Sequence, residues 1–160
     1  MRMMRMMRTM RSYSHGPFGD ATHEVWMHLR LIPEFGGDGT FCGVLVLNDT
    51  GSTILTVFTS DFQHLGNTQG YGGWMEESLV TDANGAATVL PQLLVQVQLV
   101  DNHGEPWGDW IVEQAIVRTP TEAVERLSGR NFRNVFYIGT GPGNHVLAVS
   151  ASKGGLTSLL

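Results

Sequence analysis

Residues 44–55, Val44-Leu45-Val46-Leu47-Asn48-Asp49-Thr50-Gly51-Ser52-Thr53-Ile54-Leu55, set a short polar stretch between two apolar runs. A four-residue apolar run bounded by turn residues reads as a strand buried on both faces. A second apolar strand, residues 53–58, starts at once. An aspartate between two such strands sits in a tight turn, at a partly dry place where its protonation can be tuned. Gly51 permits close backbone approach. Thr50 and Ser52 bring hydroxyls that can orient a carboxylate. The same four residues also suit a plain Asx or ST turn linking two strands.

Outward from this stretch the chain reads as short strands and turns. Residues 23–33 set Val25, Met27, Leu29 and Ile32 among polar neighbours, which reads as a strand. Residues 34–39 are turn chemistry, and residues 40–47 return as a second strand. Residues 66–73 form a glycine-rich loop. Ala83-Asn84-Gly85-Ala86 carries the Asn-Gly hairpin signal between short strands at 79–82 and 87–90. Pro91 marks a bend or an edge. Residues 93–100 alternate throughout and are the clearest strand; residues 110–118 return beside them. A short helix is expected over 131–138, then strands at 145–151 and 156–160. The sum predicts an all-β fold, a closed barrel or sandwich, with one short C-terminal helix.

Composition agrees with many turns. Twenty glycines in 160 residues exceed the usual ~7%, and charged residues at 16% fall below the usual ~25%. The length fits one domain, which needs no disulfide or metal to fold. The formal charge of −5 argues against nucleic acid as the main partner. Cys42 is the single cysteine, which excludes an internal disulfide and suits a reducing, intracellular and cytoplasmic setting. No apolar run reaches the ~18 residues of a membrane span, so no membrane partner is expected.

The charge is uneven. Residues 1–19 hold Arg2, Arg5, Arg8 and Arg11, six methionines and no acid. Without those arginines the chain carries six basic and fifteen acidic residues, a net charge of −9. Such a segment reads as a disordered extension or as a mitochondrial targeting segment. It is set outside the domain, which is assigned to residues 20–160.

Taken with its surroundings, the 44–55 segment resembles the active-site strand of aspartic proteases. Residues 23–47 resemble the hairpin that leads into that motif. Leu127-Ser128-Gly129-Arg130-Asn131 resembles the element before the C-terminal helix of retroviral- and retrotransposon-type proteases, the retropepsins. Residues 79–118 resemble their flap hairpin and the strands after it. The likeness covers residues 23–151, and its character is that of a fungal, retroelement-derived member. It implies a homodimeric aspartic endopeptidase. The chain has one Asp-Thr-Gly and no internal repeat, so the second catalytic Asp49 would come from a second copy. Two facing carboxylates share one proton. The ionised one takes a proton from water, and the protonated one polarises the scissile carbonyl of an extended peptide or polyprotein.

The resemblance also implies roles. Asp49, Thr50 and Gly51 form the catalytic turn, and Ser52, Gly129, Arg130 and Asn131 support it. Residues 83–86 tip a flap that closes over the peptide. The Ser52 hydroxyl is expected to donate to the ionised carboxylate, so that Ser52→Ala raises the acid limb of the pH–rate profile. No metal or cofactor is implied. Three positions depart from the family pattern. Asn48 and Ser128 stand where apolar residues are usual, and Thr53 replaces the acid that would pair with Arg130. These departures support a second reading, a retropepsin-like dimerisation or peptide-binding module without turnover.

Other motifs carry less. His23-Glu24 lacks the second histidine of a zinc-binding helix. Residues 139–144, Gly-Thr-Gly-Pro-Gly-Asn, follow a helix and precede a strand, the reverse of a dinucleotide fingerprint, and read as a plain turn. Cys42 within a strand reads as a small buried hydrophobe. Tyr71 and Trp74 suit either substrate contact or loop packing.

Overall fold

The computed structural model describes residues 8–10, 13–14, 21–101, 103–122, 124–141, 143–144 and 146–158. Most of the expected N-terminal extension, together with His145, Leu159 and Leu160, lies outside them. Within that extension two short strands are described, β1 (Arg8–Met10) and β2 (Tyr13–Ser14). β2 pairs with β3 (Ala21–Thr22).

The fold is all-β with few short helices. β4 (Glu24–Arg30), β5 (Phe41–Leu47), β6 (Leu55–Phe58), β7 (Trp74–Thr81), β8 (Ala87–Val100) and β9 (Pro106–Arg118) form one sheet. Its order is β5-β4-β8-β9-β6, with β7 also on β8. All ladders are antiparallel except β6 with β9. α1 (Arg130–Val135) follows, then β10 (Tyr137–Thr140), β11 (Leu147–Ser150) and α2 (Lys153–Thr157). β11 lies between β1 and β10 in a second, three-stranded sheet.

The alternation read in the sequence becomes the core. Leu93, Val95, Val97 and Leu99 of β8 are fully buried beside Val25, Met27 and Leu29 of β4. Gln96 and Gln98 face the other way and stay partly exposed. β8 joins the two strands expected at 87–90 and 93–100 into one, running through Pro91, and it serves several neighbours. Its first half pairs with β7 and its second with β9 and β4. The register shift in the β7 ladder spans Met75 to Ser78, opposite Pro91. A proline has no N–H to give a ladder, so a bulge there is the natural accommodation.

Both hairpins that flank β8 use one turn chemistry. Asp82 Oδ1 accepts the N–H groups of Asn84 and Ala86, each at 2.9 Å. Asp101 Oδ1 accepts those of His103 and Glu105, also at 2.9 Å. Gly85 and Gly104 both take a φ of +82°, the left-handed position that a three-residue hairpin loop requires.

Several boundaries differ from expectation: β6 begins at Leu55 rather than at 53, and β7 at Trp74 rather than at 79. β9 begins at Pro106 rather than at 110, and Trp107 packs on Phe136 with ring centroids 5.1 Å apart. The helix ends at Val135, because Phe136 turns into the core and Tyr137–Thr140 pair with β11. In place of a final strand over 156–160, Lys153–Thr157 is a helix. Ser152 caps it by accepting the Gly155 N–H at 3.2 Å.

Candidate active site

β5 runs out of the core at Leu47 and turns at Asp49. The Ser52 N–H reaches the Asp49 carbonyl at 3.3 Å, closing a tight turn over residues 49–52. Within the turn, Asp49 Oδ1 accepts the Gly51 N–H at 2.8 Å. A Cβ on residue 51 would lie 3.2 Å from that oxygen, so glycine lets the carboxylate settle on its own turn. Asp49 is half-buried, while Thr50 and Gly51 are exposed.

A distant segment anchors the turn. Residues 126–128 pass between the end of β5 and the start of β6. Leu47 and Leu127 form a parallel bridge. The Leu47 N–H donates to the Arg126 carbonyl at 2.7 Å, and the Ser128 N–H donates to the Leu47 carbonyl at 2.9 Å. The Thr56 N–H donates to the Leu127 carbonyl at 3.0 Å. The two strands on either side of Asp49 are therefore joined through one crossing segment. The sequence did not reveal this crossing, since its two sides lie about eighty positions apart.

Arg126 holds that segment. Its guanidinium meets Asp61 Oδ1 at 2.7 Å and the Leu45 carbonyl at 3.2 Å, and lies over the Phe58 ring. Asp61 Oδ2 accepts the Phe58 N–H at 2.8 Å. Both side chains are largely buried. Cys42 lies in the field of this pair. Burial, with the Asp61 carboxylate adding and Arg126 opposing, pushes its thiol up to about 11. It is a protonated packing residue at neutral pH.

Ser128 is fully buried, and its hydroxyl oxygen accepts two protons. One comes from the Asp49 N–H at 3.2 Å and the other from Arg133 Nη1 at 2.6 Å. The other terminal nitrogen of Arg133 donates to the Ser52 carbonyl. The Ser52 hydroxyl donates to the Ile54 carbonyl at 2.8 Å. This corrects the expectation that it serves the Asp49 carboxylate.

The Gly129-Arg130-Asn131 element also differs from expectation. Arg130 is exposed, with no side-chain partner among the described residues. The Asn131 side chain donates to the Val112 carbonyl at 2.8 Å. The first turn of α1 is capped from β9, where Glu113 accepts the N–H groups of Asn131 at 3.2 Å and Phe132 at 2.6 Å. A Cβ on residue 129 would collide with that carboxylate. Gly129 is needed because Glu113 occupies the space. Burial raises the Glu113 carboxyl above its ordinary range, against lowering by the two N–H groups and by Arg133. The inward alternation of β9 places residue 113 in the core, which is the one sequence signal that could have found it.

Asn48 sits beside the turn, with its N–H on the His23 carbonyl at 2.8 Å. Its side-chain oxygen is buried without a partner among the described residues. Thr50, Asn48, His23 and Arg133 line a cavity of about 320 Å³ that is floored by Phe136 and Leu147.

The expected flap tip, Ala83, Asn84, Gly85 and Ala86, forms the exposed loop between β7 and β8. Among the described residues its hydrogen bonds stay within the loop, on Asp82 and Ala86. Tyr71 is a packing residue, whose hydroxyl accepts the Ile32 N–H and donates to the Leu94 carbonyl. Trp74 is exposed and stacks on Phe62. The Asn144 N–H donates to the Gly141 carbonyl at 3.1 Å. Among the described residues no three His, Cys, Asp or Glu side chains gather, and no helix is long and apolar enough to cross a membrane.

Compared with protein-family models the chain matches none, and no curated protein matches it.

Proposed function

We propose that this chain is a retropepsin-like aspartic endopeptidase that works as a homodimer. The observation that carries the reading is the Asp49 turn. It is an Asp-Thr-Gly turn between two core strands, with Oδ1 held by the Gly51 N–H and both flanking strands tied to residues 126–128. Such a turn aims one carboxylate in a set direction. One carboxylate cannot both take a proton from water and polarise a carbonyl, so a second copy supplies the other.

In the assembled site the two Asp49 side chains share one proton across the two-fold axis. The ionised partner removes a proton from water, and the resulting oxygen attacks the carbonyl carbon of the peptide. The protonated partner stabilises the developing oxyanion. The intermediate then collapses as the amine nitrogen takes from the first Asp49 the proton it removed from water, and leaves with the dyad again holding one proton. The β7–β8 hairpin is the flap in this reading, and its exposed Leu79 and Val89 give an apolar surface for an extended peptide. A closed acid-protease barrel and the dimer belong to the same proposal.

The test is cleavage of a mixed peptide library between about pH 3 and pH 7, where shared-proton carboxylates operate. The wild type is expected to cut and Asp49→Asn to be silent. Equal cleavage by both, or none by the wild type, would refute the protease reading. A wild-type dimer that binds peptides without cutting them would favour the non-catalytic module. The buried, unpartnered Asn48 oxygen beside the turn is the observation on that side.

A further inference from the structure

We propose that Arg133 is the positioning residue of the Asp49 turn. Its pairing with Ser128 then does the work that the family resemblance assigns to Arg130. The effect on rate rests on the protease reading; the effect on the geometry of the turn does not.

The turn has two ends, the Asp49 N–H and the Ser52 carbonyl. The first is shared between the Leu47 carbonyl at 2.9 Å and Ser128 Oγ at 3.2 Å, and that hydroxyl oxygen also accepts Arg133 Nη1 at 2.6 Å. The second accepts the other terminal nitrogen of Arg133. One planar guanidinium thus spans the whole turn. A guanidinium carries its donors in a rigid fork, so the two ends are held at a set separation. That separation sets the direction of the Asp49 carboxylate, whose Oδ1 is bound within the turn by Gly51.

The departure at residue 128 thereby gains a physical reason. An apolar side chain there would leave one guanidinium proton without its acceptor, in a place where Ser128 is 0% exposed, and would leave the Asp49 N–H with the Leu47 carbonyl as its one acceptor. A serine at 128 and an arginine at 133 therefore need each other. Arg130, at the first helical position, points to solvent and reaches neither end of the turn.

The experiment uses the full chain with Arg133→Leu, Arg133→Lys, Ser128→Ala, the Ser128→Ala/Arg133→Leu double variant and Arg130→Leu. On a peptide that the wild type cuts, Arg133→Leu is expected to lower kcat about ten- to hundredfold, the cost of a misplaced catalytic group, with KM little changed. Lysine has no fork and is expected to restore little of it. The double variant should be no slower than the slower single one, because both break the same chain of bonds. The loss at Arg130→Leu should be smaller than at Arg133→Leu.

A second readout is the Asp49 amide proton by NMR. It should move upfield in Ser128→Ala, in Arg133→Leu and in Arg133→Lys, the variant least apt to disturb folding. It should stay in place in Arg130→Leu. If the wild type cuts nothing, the protease reading falls and the amide proton alone decides the positioning role. An unmoved Asp49 amide in the Arg133 variants, additive losses in the double variant, or a larger loss at Arg130 would each overturn the assignment.

Discussion

Glu113 lies in the middle of β9, and its carboxylate accepts the N–H of Phe132 at 2.6 Å, in the first turn of α1. A helix begins with unpaired N–H groups, and a side chain usually supplies the cap from the residue just before it. Here Gly129 holds that place and has no side chain. A carboxylate sixteen residues upstream does the capping instead, through the space that the missing Cβ leaves open.

Gly129→Ala should therefore destabilise the fold by about 2–3 kcal/mol, as clashes in a filled core do. Glu113→Asp in the same chain, by withdrawing the carboxylate, should recover part of that loss. Chemical denaturation of the two single variants and the double variant measures the coupling.

Glu113 also predicts a pH dependence. Its folded carboxyl is raised above the ordinary value, with burial as the main cause. Between the two values the folded state binds more proton than the unfolded state. This group's contribution to stability is thus full below the ordinary carboxylate range and is lost as pH rises through the raised folded value. Glu113→Gln removes the titration. The stability difference between wild type and Glu113→Gln should shrink with rising pH across that window, as followed by thermal melts.

Arg126→Met should cost about 3 kcal/mol, because it leaves the Asp61 carboxylate buried without its charge partner. The double variant Arg126→Met/Asp61→Leu should be more stable than Arg126→Met alone. Since residues 126–128 tie down the Asp49 turn, peptide cleavage should fall in Arg126→Met even at temperatures where the chain stays folded.

Ser52→Ala should leave the acid limb of the pH–rate profile where it is. The Ser52 hydroxyl is committed to the Ile54 carbonyl, two residues on and just before β6. A profile that moves by a full pH unit would show that the hydroxyl reaches the carboxylate during turnover. A modest loss of stability, about 1 kcal/mol, is the expected cost of the missing bond.

By itself the sequence determined the central strands and their turns. The alternation of Leu93, Val95, Val97 and Leu99 gave the central strand, and Asn84-Gly85 gave the hairpin. The polar break at 48–52 gave the turn that holds Asp49. These features depend on neighbours within a few residues, so pattern and turn chemistry suffice to read them. The tertiary structure alone decided what supports Asp49. Which guanidinium faces the turn depends on how α1 sits, and α1 is placed by Glu113 from another strand and by Phe132 and Phe136 in the core. Arg130 and Arg133 are three residues apart and chemically identical. Only the packing of that helix directs one to solvent and the other to Ser128 and Ser52.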